Sequence, residues 1–422
     1  MRQLTSILIC LVMGVSLFSS CSKDSLPSNR RPLPEVADQS LIFYLTGQSL
    51  QHYFKRYNIP EICEAIDNDI LYDSRLFVHV QSSDNSTEAL LIEYWYNLET
   101  CSSCADTLRR YSNCNTIEKA HIVKVIDDVA EIAPSNRYAM VLGSHGGGWV
   151  SSEYKNFTSY ESGDAGGELF ADKSAATQHF DLLHKSEGAD ATRWFGENMG
   201  NVAEISVWAE AFKEASVDME YLIFDACFMS NVETLYELKD AAKFIVASPC
   251  EIMGRGVPYN ITLPHLFSNS GKDYDLKGFI GSFVDYYSKT NDSRKSGCMA
   301  LTVCSEMEAL AEVTSEVYSA GLREIDIKSI QSYEGLSDPL FVDFEEYIMA
   351  TCTDDILLSR FIQQLDKTLP TEYRMRTDFF YSGYNNGYNV INHYSGVSTS
   401  DGSIKYPKSY ENTLWAKRVK QQ

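Results

Sequence analysis

Two stretches of this sequence end an apolar run in residues that do covalent chemistry. The first is Tyr138-Ala-Met-Val-Leu-Gly-Ser144-His145-Gly146-Gly-Gly-Trp149, where an imidazole is followed by glycines. The second is Tyr221-Leu-Ile-Phe-Asp225-Ala226-Cys227-Phe-Met-Ser230, where a thiol follows a buried-looking run and precedes a helical pattern. A nucleophilic thiol needs a base or an imidazolium within hydrogen-bond reach. Glycine after His145 lets backbone N–H groups approach a ligand with no side chain between. A cysteine where a strand meets a helix N-terminus feels the positive end of the helix dipole, which predicts thiolate character. Taken singly, a cysteine or histidine is more often a small core residue or a satisfied polar group. The pair is informative because both end strong apolar runs.

Such a pair works only if the chain brings the two ends together. Apolar, β-branched or aromatic runs recur at Leu41–Leu45, Leu76–Val80, Ala89–Tyr96, Tyr138–Leu142, Tyr221–Phe224 and Phe244–Ala247, separated by amphipathic stretches at 116–131, 201–215 and 230–241. Strands apolar on both sides, alternating with helices, predict an α/β fold with a mostly parallel central sheet flanked by helices. Adjacent parallel strands place their ends about 5 Å apart, and ligands in such sheets sit at the carboxyl ends of strands. The interval 150–199 holds no convincing strand and reads as a long functional loop. Beyond about 270 a C-terminal α+β extension follows. Its helices are at 272–289, 305–322 and 353–368, and its strands at 298–303 and 375–382. The terminal segment from Gly387 reads as a strand and an exposed loop closed by a short helix.

Composition narrows the function classes. The chain has 422 residues, enough for two or three domains. Hydrophobic residues at 44% and charged ones at 22% are ordinary for a globular protein, which excludes a disordered or fibrous chain. The formal charge of −22 excludes an electrostatic nucleic-acid partner. Residues 1–20 carry Arg2, an apolar run from Leu4 to Phe18 and a small pair before Cys21, which reads as a secretory signal with a lipoprotein cleavage site. Cys21 is then the lipidation site and 21–39 a flexible tether, so the chain is expected on the cell envelope or surface through an N-terminal lipid, with secretion as the alternative. The domain boundaries follow: 1–20 signal, 21–39 tether, 40–270 catalytic domain, and 271–422 an extension packed on it. Cys101-x-x-Cys104 with Cys114 is the cluster with metal-like spacing, but it lacks a nearby fourth ligand. A loop disulfide or buried free thiols fit better than zinc, and no metal site is expected.

A strand ending in Ser-His-Gly paired with a later one ending in Asp-Ala-Cys resembles the caspase–gingipain–clostripain group of cysteine peptidases. The Asp-Ala-Cys form, the preceding 201–220 helix and Phe244-Ile-Val-Ala-Ser-Pro-Cys-Glu251-Ile-Met-Gly254-Arg255-Gly256 are most similar to the clostripain-like family. The resemblance spans roughly Ser40 to Tyr259. It implies a caspase-like fold and an endopeptidase with Cys227 as nucleophile and His145 as proton partner. The N–H groups of Gly146 and Cys227 would form the oxyanion hole. Asp225 would lie at the floor of a pocket selecting Arg or Lys before the scissile bond, with a strand-end cap as its bland reading. Arg255 stands where the family commonly has an acid, and pairing with Asp225 would weaken basic preference. Family members are often made as zymogens and nicked between the histidine and cysteine strands. Lys155, Lys173, Lys185 and Arg193 are therefore candidate self-cleavage positions. No cofactor is required. Calcium dependence is known in the family and this acidic chain could bind the ion, although no loop here matches an EF-hand. Partners are protein or peptide substrates, and the chain is expected to be a monomer. A catalytically silent binding lipoprotein on the same fold is the alternative. An esterase is set aside because no Gly-x-Ser-x-Gly occurs.

Overall fold

The computed structural model describes residues 29–82, 87–150, 194–198, 201–268, 273–289, 295–385 and 387–420. Its strands in chain order are β1 Ala37–Leu45, β2 Arg75–Gln81, β3 Ala89–Asn97, β4 Ser102–Tyr111, β5 Ser135–Gly143, β6 Trp194–Asn198, β7 Asn201–Glu204, β8 Met219–Asp225, β9 Ala242–Ala247, β10 Cys298–Val303, β11 Val342–Asp343, β12 Met375–Arg376, β13 Phe379–Ser382, β14 Gly387–Val390 and β15 Ser398–Thr399. Nine of them form one sheet in the order β12-β10-β9-β8-β5-β1-β2-β3-β4. The five central strands, from β9 to β2, run parallel, and two antiparallel strands close each edge.

The central strands are apolar throughout because both of their faces are covered. Alternate residues divide cleanly between two cores. Ile42, Tyr44, Met140, Leu142, Leu222, Phe224 and Ile245 point into one. Leu41, Phe43, Leu45, Ala139, Val141, Tyr221, Ile223 and Val246 point into the other. The first core is roofed by α2 Lys119–Ile132, α3 Ile205–Glu214, α4 Val232–Glu237 and α6 Met307–Ser319; the second by α1 Ile59–Ile66 and α5 Leu276–Lys289. Burying each Leu, Ile or Phe stabilises by about 1.5–3 kcal/mol, so the strands that carry the candidate site are the rigid centre of the molecule.

Several expectations shift. The chain beyond 270 extends the same sheet, since β10 pairs with β9 and β12 with β10. The run expected as one strand at 375–382 divides into β12 and β13 around Thr377, whose hydroxyl bonds the Phe379 carbonyl and receives the N–H of Gly297. The stretch 150–199 ends in a strand, β6, which forms a hairpin with β7. The tail expected as an exposed loop is buried from Ser395 to Asp401. Its polar residues are satisfied by buried carboxylates: Ser395 N–H and Oγ donate to Asp343, and Thr399 Oγ and Ser400 N–H donate to Glu233. The tether expected to run to residue 39 ends earlier. The buried carboxylate of Glu93 needs a counter-charge, and Arg30 docks on it beside Arg75. All nine described cysteines are free thiols. Among the described residues no helix is long and apolar enough to cross a membrane.

Candidate active site

β5 and β8 lie side by side and parallel, with Gly143 opposite Asp225. Both runs therefore reach the same rim of the sheet, and Ser144 N–H donates to the Asp225 carbonyl at 3.4 Å. Beyond the rim the two loops touch. A Cβ placed on Gly146 would lie 2.5 Å from the Cys227 carbonyl oxygen and 2.9 Å from Met229 Sδ, so glycine is what allows this approach. Phe228 sits at φ 57°, an uncommon conformation for a large side chain. Asn231 Nδ2 and Cys250 hold it by bonding its carbonyl and its N–H.

His145 is half-buried. Its Nε2 lies 2.9 Å from Ser49 Oγ, and that hydroxyl donates to Glu197 Oε2 at 2.8 Å. Burial lowers the imidazole pKa, while the Glu197 carboxylate opposes the shift. Neither Ser49 nor Glu197 is visible as a site residue from the sequence. Ser49 lies in the turn Gln48–Leu50 just past β1, which adjoins β5, so the strand-end rule carries a faint signal for it. Glu197 lies in β6, within the interval read as loop.

The thiolate expectation does not hold in this state. α4 begins at Val232, capped by Asn231, and Cys227 is too far ahead of it for its dipole to act. Cys227 Sγ instead accepts the Ile252 N–H at 3.3 Å and faces the Ile252 carbonyl at 3.7 Å. Burial, reinforced by Glu251, pushes its pKa up to about 12, so the group rests as a thiol.

Asp225 is half-buried beneath the segment that follows β9. It accepts the Val257 N–H at 3.2 Å and the Tyr259 hydroxyl at 2.7 Å. Burial raises its pKa to about 6. The expected pairing of Arg255 with Asp225 is not formed. Arg255 Nε donates to Glu61 Oε1 at 3.0 Å, and its guanidinium lies 5.4 Å from the Tyr57 ring and 5.2 Å from the Tyr286 ring. The reason is competition: Glu61 on α1 is mostly buried with Arg255 as its cation, whereas backbone and phenol donors already satisfy Asp225.

Lys155, Lys173, Lys185 and Arg193 lie outside the described residues, as does Cys21. Among the described residues no group of three His, Cys, Asp or Glu side chains is placed to hold a metal ion, so no step is assigned to calcium. In chemical terms the rim brings together the segments that carry a thiol, an imidazole and a half-buried carboxylate.

Comparison with known proteins bears on the family and the fold. A model of the clostripain family matches residues 181–411. A secreted cysteine protease from Bacteroides thetaiotaomicron, iotapain, is 28% identical with a TM-score of 0.76; the match covers 92% of this chain and all of that one. A second secreted cysteine protease from the same organism, solved with an irreversible peptide inhibitor, shares the fold at 20% identity and a TM-score of 0.71, over 90% of this chain and 98% of its own. An inactive zymogen from Parabacteroides distasonis does so at 22% and 0.73, over 92% and 100%. No curated protein matches the chain.

Proposed function

The chain belongs to the clostripain family of cysteine proteases, hydrolases that need no cofactor, and on that premise we propose that Cys227 and His145 are its catalytic dyad. The observation that carries this reading is the shared rim, with Gly143 opposite Asp225 and Gly146 packed on the Cys227 carbonyl. In the reaction the thiol proton passes to His145 as Cys227 Sγ bonds to the substrate carbonyl carbon. The N–H groups of Gly146 and Cys227 receive the oxyanion. His145 returns that proton to the leaving amine, the C–N bond breaks, and a thioester remains. Water, deprotonated by His145, then releases the acid and restores the thiol.

Asp225 is proposed as the pocket carboxylate that selects Arg or Lys. The engagement of Arg255 with Glu61 supports a basic preference, because it keeps the arginine charge off Asp225. The segment from Glu251 to Val257 both touches the thiol and covers Asp225, so one movement of it would free nucleophile and pocket together. This closed arrangement fits a precursor that matures by self-cleavage within 150–199. The secreted relatives and the Cys21 signal support an enzyme outside the cytoplasm held by a lipid.

The test is a fluorogenic peptide series varying the residue before the cleaved bond, together with an electrophilic peptide ending in lysine. Cys227 should be labelled, and Asp225→Ala should abolish the preference for basic residues while leaving labelling by a small alkylating agent intact. In the parent enzyme, KM for basic substrates should rise as the pH falls through about 6, where Asp225 gains its proton. Indifference of the preference to Asp225→Ala would reject the pocket assignment.

A further inference from the structure

We propose that Ser49 and Glu197 are positioning residues that fix the proton and the orientation of the His145 ring, an inference that rests on the dyad reading. A serine hydroxyl has one hydrogen to give. Ser49 Oγ gives it to Glu197 Oε2 at 2.8 Å, so towards His145 Nε2, at 2.9 Å, it can act only as an acceptor. Nε2 must then carry a hydrogen, and the neutral ring has its basic lone pair on Nδ1. When the ring takes a second proton at Nδ1, the Glu197 carboxylate, 4.0 Å from Nε2, lowers the energy of the imidazolium. A carboxylate acting through an interposed hydroxyl thus does what a third member of a catalytic group does elsewhere: it selects one tautomer and stabilises the charged ring.

The relay is built into the fold on both sides. Gly196 N–H donates to the His145 carbonyl at 3.2 Å, and Gly146 bridges Phe195, so β6 is stitched to the loop that bears the histidine. Thr46 Oγ donates to the Glu197 carbonyl, Trp208 Nε1 to the Phe195 carbonyl and Gln81 Nε2 to Asn198 Oδ1. Glu197 is therefore a held side chain with 16% of its surface exposed, unlike a mobile surface acid. The titratable group that acts on the ring is Glu197 from β6; Asp225 ends the neighbouring strand β8, and Cys227 follows it.

The test separates this role from packing and from the dyad reading. In a Cys227→Ala background labelled with 13C-histidine, the His145 signal is identified by its loss on His145→Ala. Glu197→Gln should lower the ring's titration midpoint by about one pH unit, since an opposite charge at this range shifts a pKa by that order. In the active enzyme, Glu197→Gln and Ser49→Ala should each cut kcat about tenfold or more with KM within about twofold, and Ser49→Thr, which keeps the hydroxyl, should restore most of it. A midpoint that stays within about 0.2 unit in Glu197→Gln overturns the proposal, even if kcat falls together with the melting temperature. If the midpoint moves but no peptide electrophile labels Cys227, the relay stands and the dyad reading falls.

Discussion

Replacing Gly146 by alanine tests the geometry of the rim most directly. The added methyl would sit 2.5 Å from the Cys227 carbonyl oxygen, 2.9 Å from Met229 Sδ and 3.2 Å from the Ala226 methyl. Ordinary contact begins near 3.4 Å, so the histidine and cysteine loops must part by about 0.9 Å. The Met229 thioether can swing aside, but the carbonyl is backbone and belongs to the residue bearing the thiol. A misplacement of about 1 Å in a reacting pair costs on the order of a hundredfold in rate, or about 2.7 kcal/mol in the barrier. The strain on the fold is smaller in consequence: overpacking costs about 1–3 kcal/mol against a total stability of about 5–15. Gly146→Ala should therefore remain folded, with kcat on a basic fluorogenic peptide down about a hundredfold and KM nearly unchanged, because Asp225 is fixed within β8 by its pairing with β5 and by the donors Val257 and Tyr259. Circular dichroism and thermal melting check the fold. A folded variant whose kcat stays within about threefold of the parent would refute the claim that these two loops are held in reacting contact.

Further outcomes follow from other parts of the molecule. Electrophoresis of purified protein should give two fragments for the parent and a single chain for Cys227→Ala; single bands for both would count against self-cleavage. His79 and His121 face each other inside the first core with their Nε2 atoms 3.0 Å apart, and burial holds His121 at about 4 and His79 well below its ordinary value. Both folded-state values lie beneath the unfolded value near 6.5, so this stability is full above pH 6.5 and is lost as the pH falls towards 4. The loss is about 2 kcal/mol from His121 alone at pH 5, and His79 adds to it in the same direction. Asp225 and the buried Glu233, Glu251 and Glu334 have raised values and act in the opposite direction, so the readout is a difference. The urea midpoint of the His79→Gln, His121→Gln variant should fall less than the parent's between pH 6.5 and 5, and equal slopes would dismiss the pair as a source of acid sensitivity.

The sheet was readable because its central strands are buried on both faces and so are apolar without interruption, as in Leu41–Leu45 and Tyr221–Phe224. The same logic hid β4, an edge strand whose Ser102–Tyr111 run is mostly polar and half-exposed and has no apolar alternation to betray it. His145 and Cys227 were readable because each closes such a run. Glu197 was not, because its place depends on a hairpin held by backbone bonds to a loop 50 residues away, and no local pattern encodes that. The partner of Arg255 is hidden for a related reason: Glu61 lies on α1, 194 residues earlier in the chain, and burial of that carboxylate draws the guanidinium to it. The tail reads as a surface loop because serine and threonine are usually solvated, whereas here Glu233 and Asp343 supply the acceptors that let them go inside.

That buried tail bears on when the protein can become whole. Ser230 Oγ reaches the Gly396 carbonyl across 166 residues, and Trp149, just past the histidine, donates to Ser400. A ribosome adding about 5–20 residues per second therefore needs roughly 10–30 seconds after finishing Ser230 before the segment that clamps both loops exists. During synthesis a chain that is to become a peptide-cutting enzyme lacks the brace for its own jaws, and it is disarmed by the order in which its parts are made.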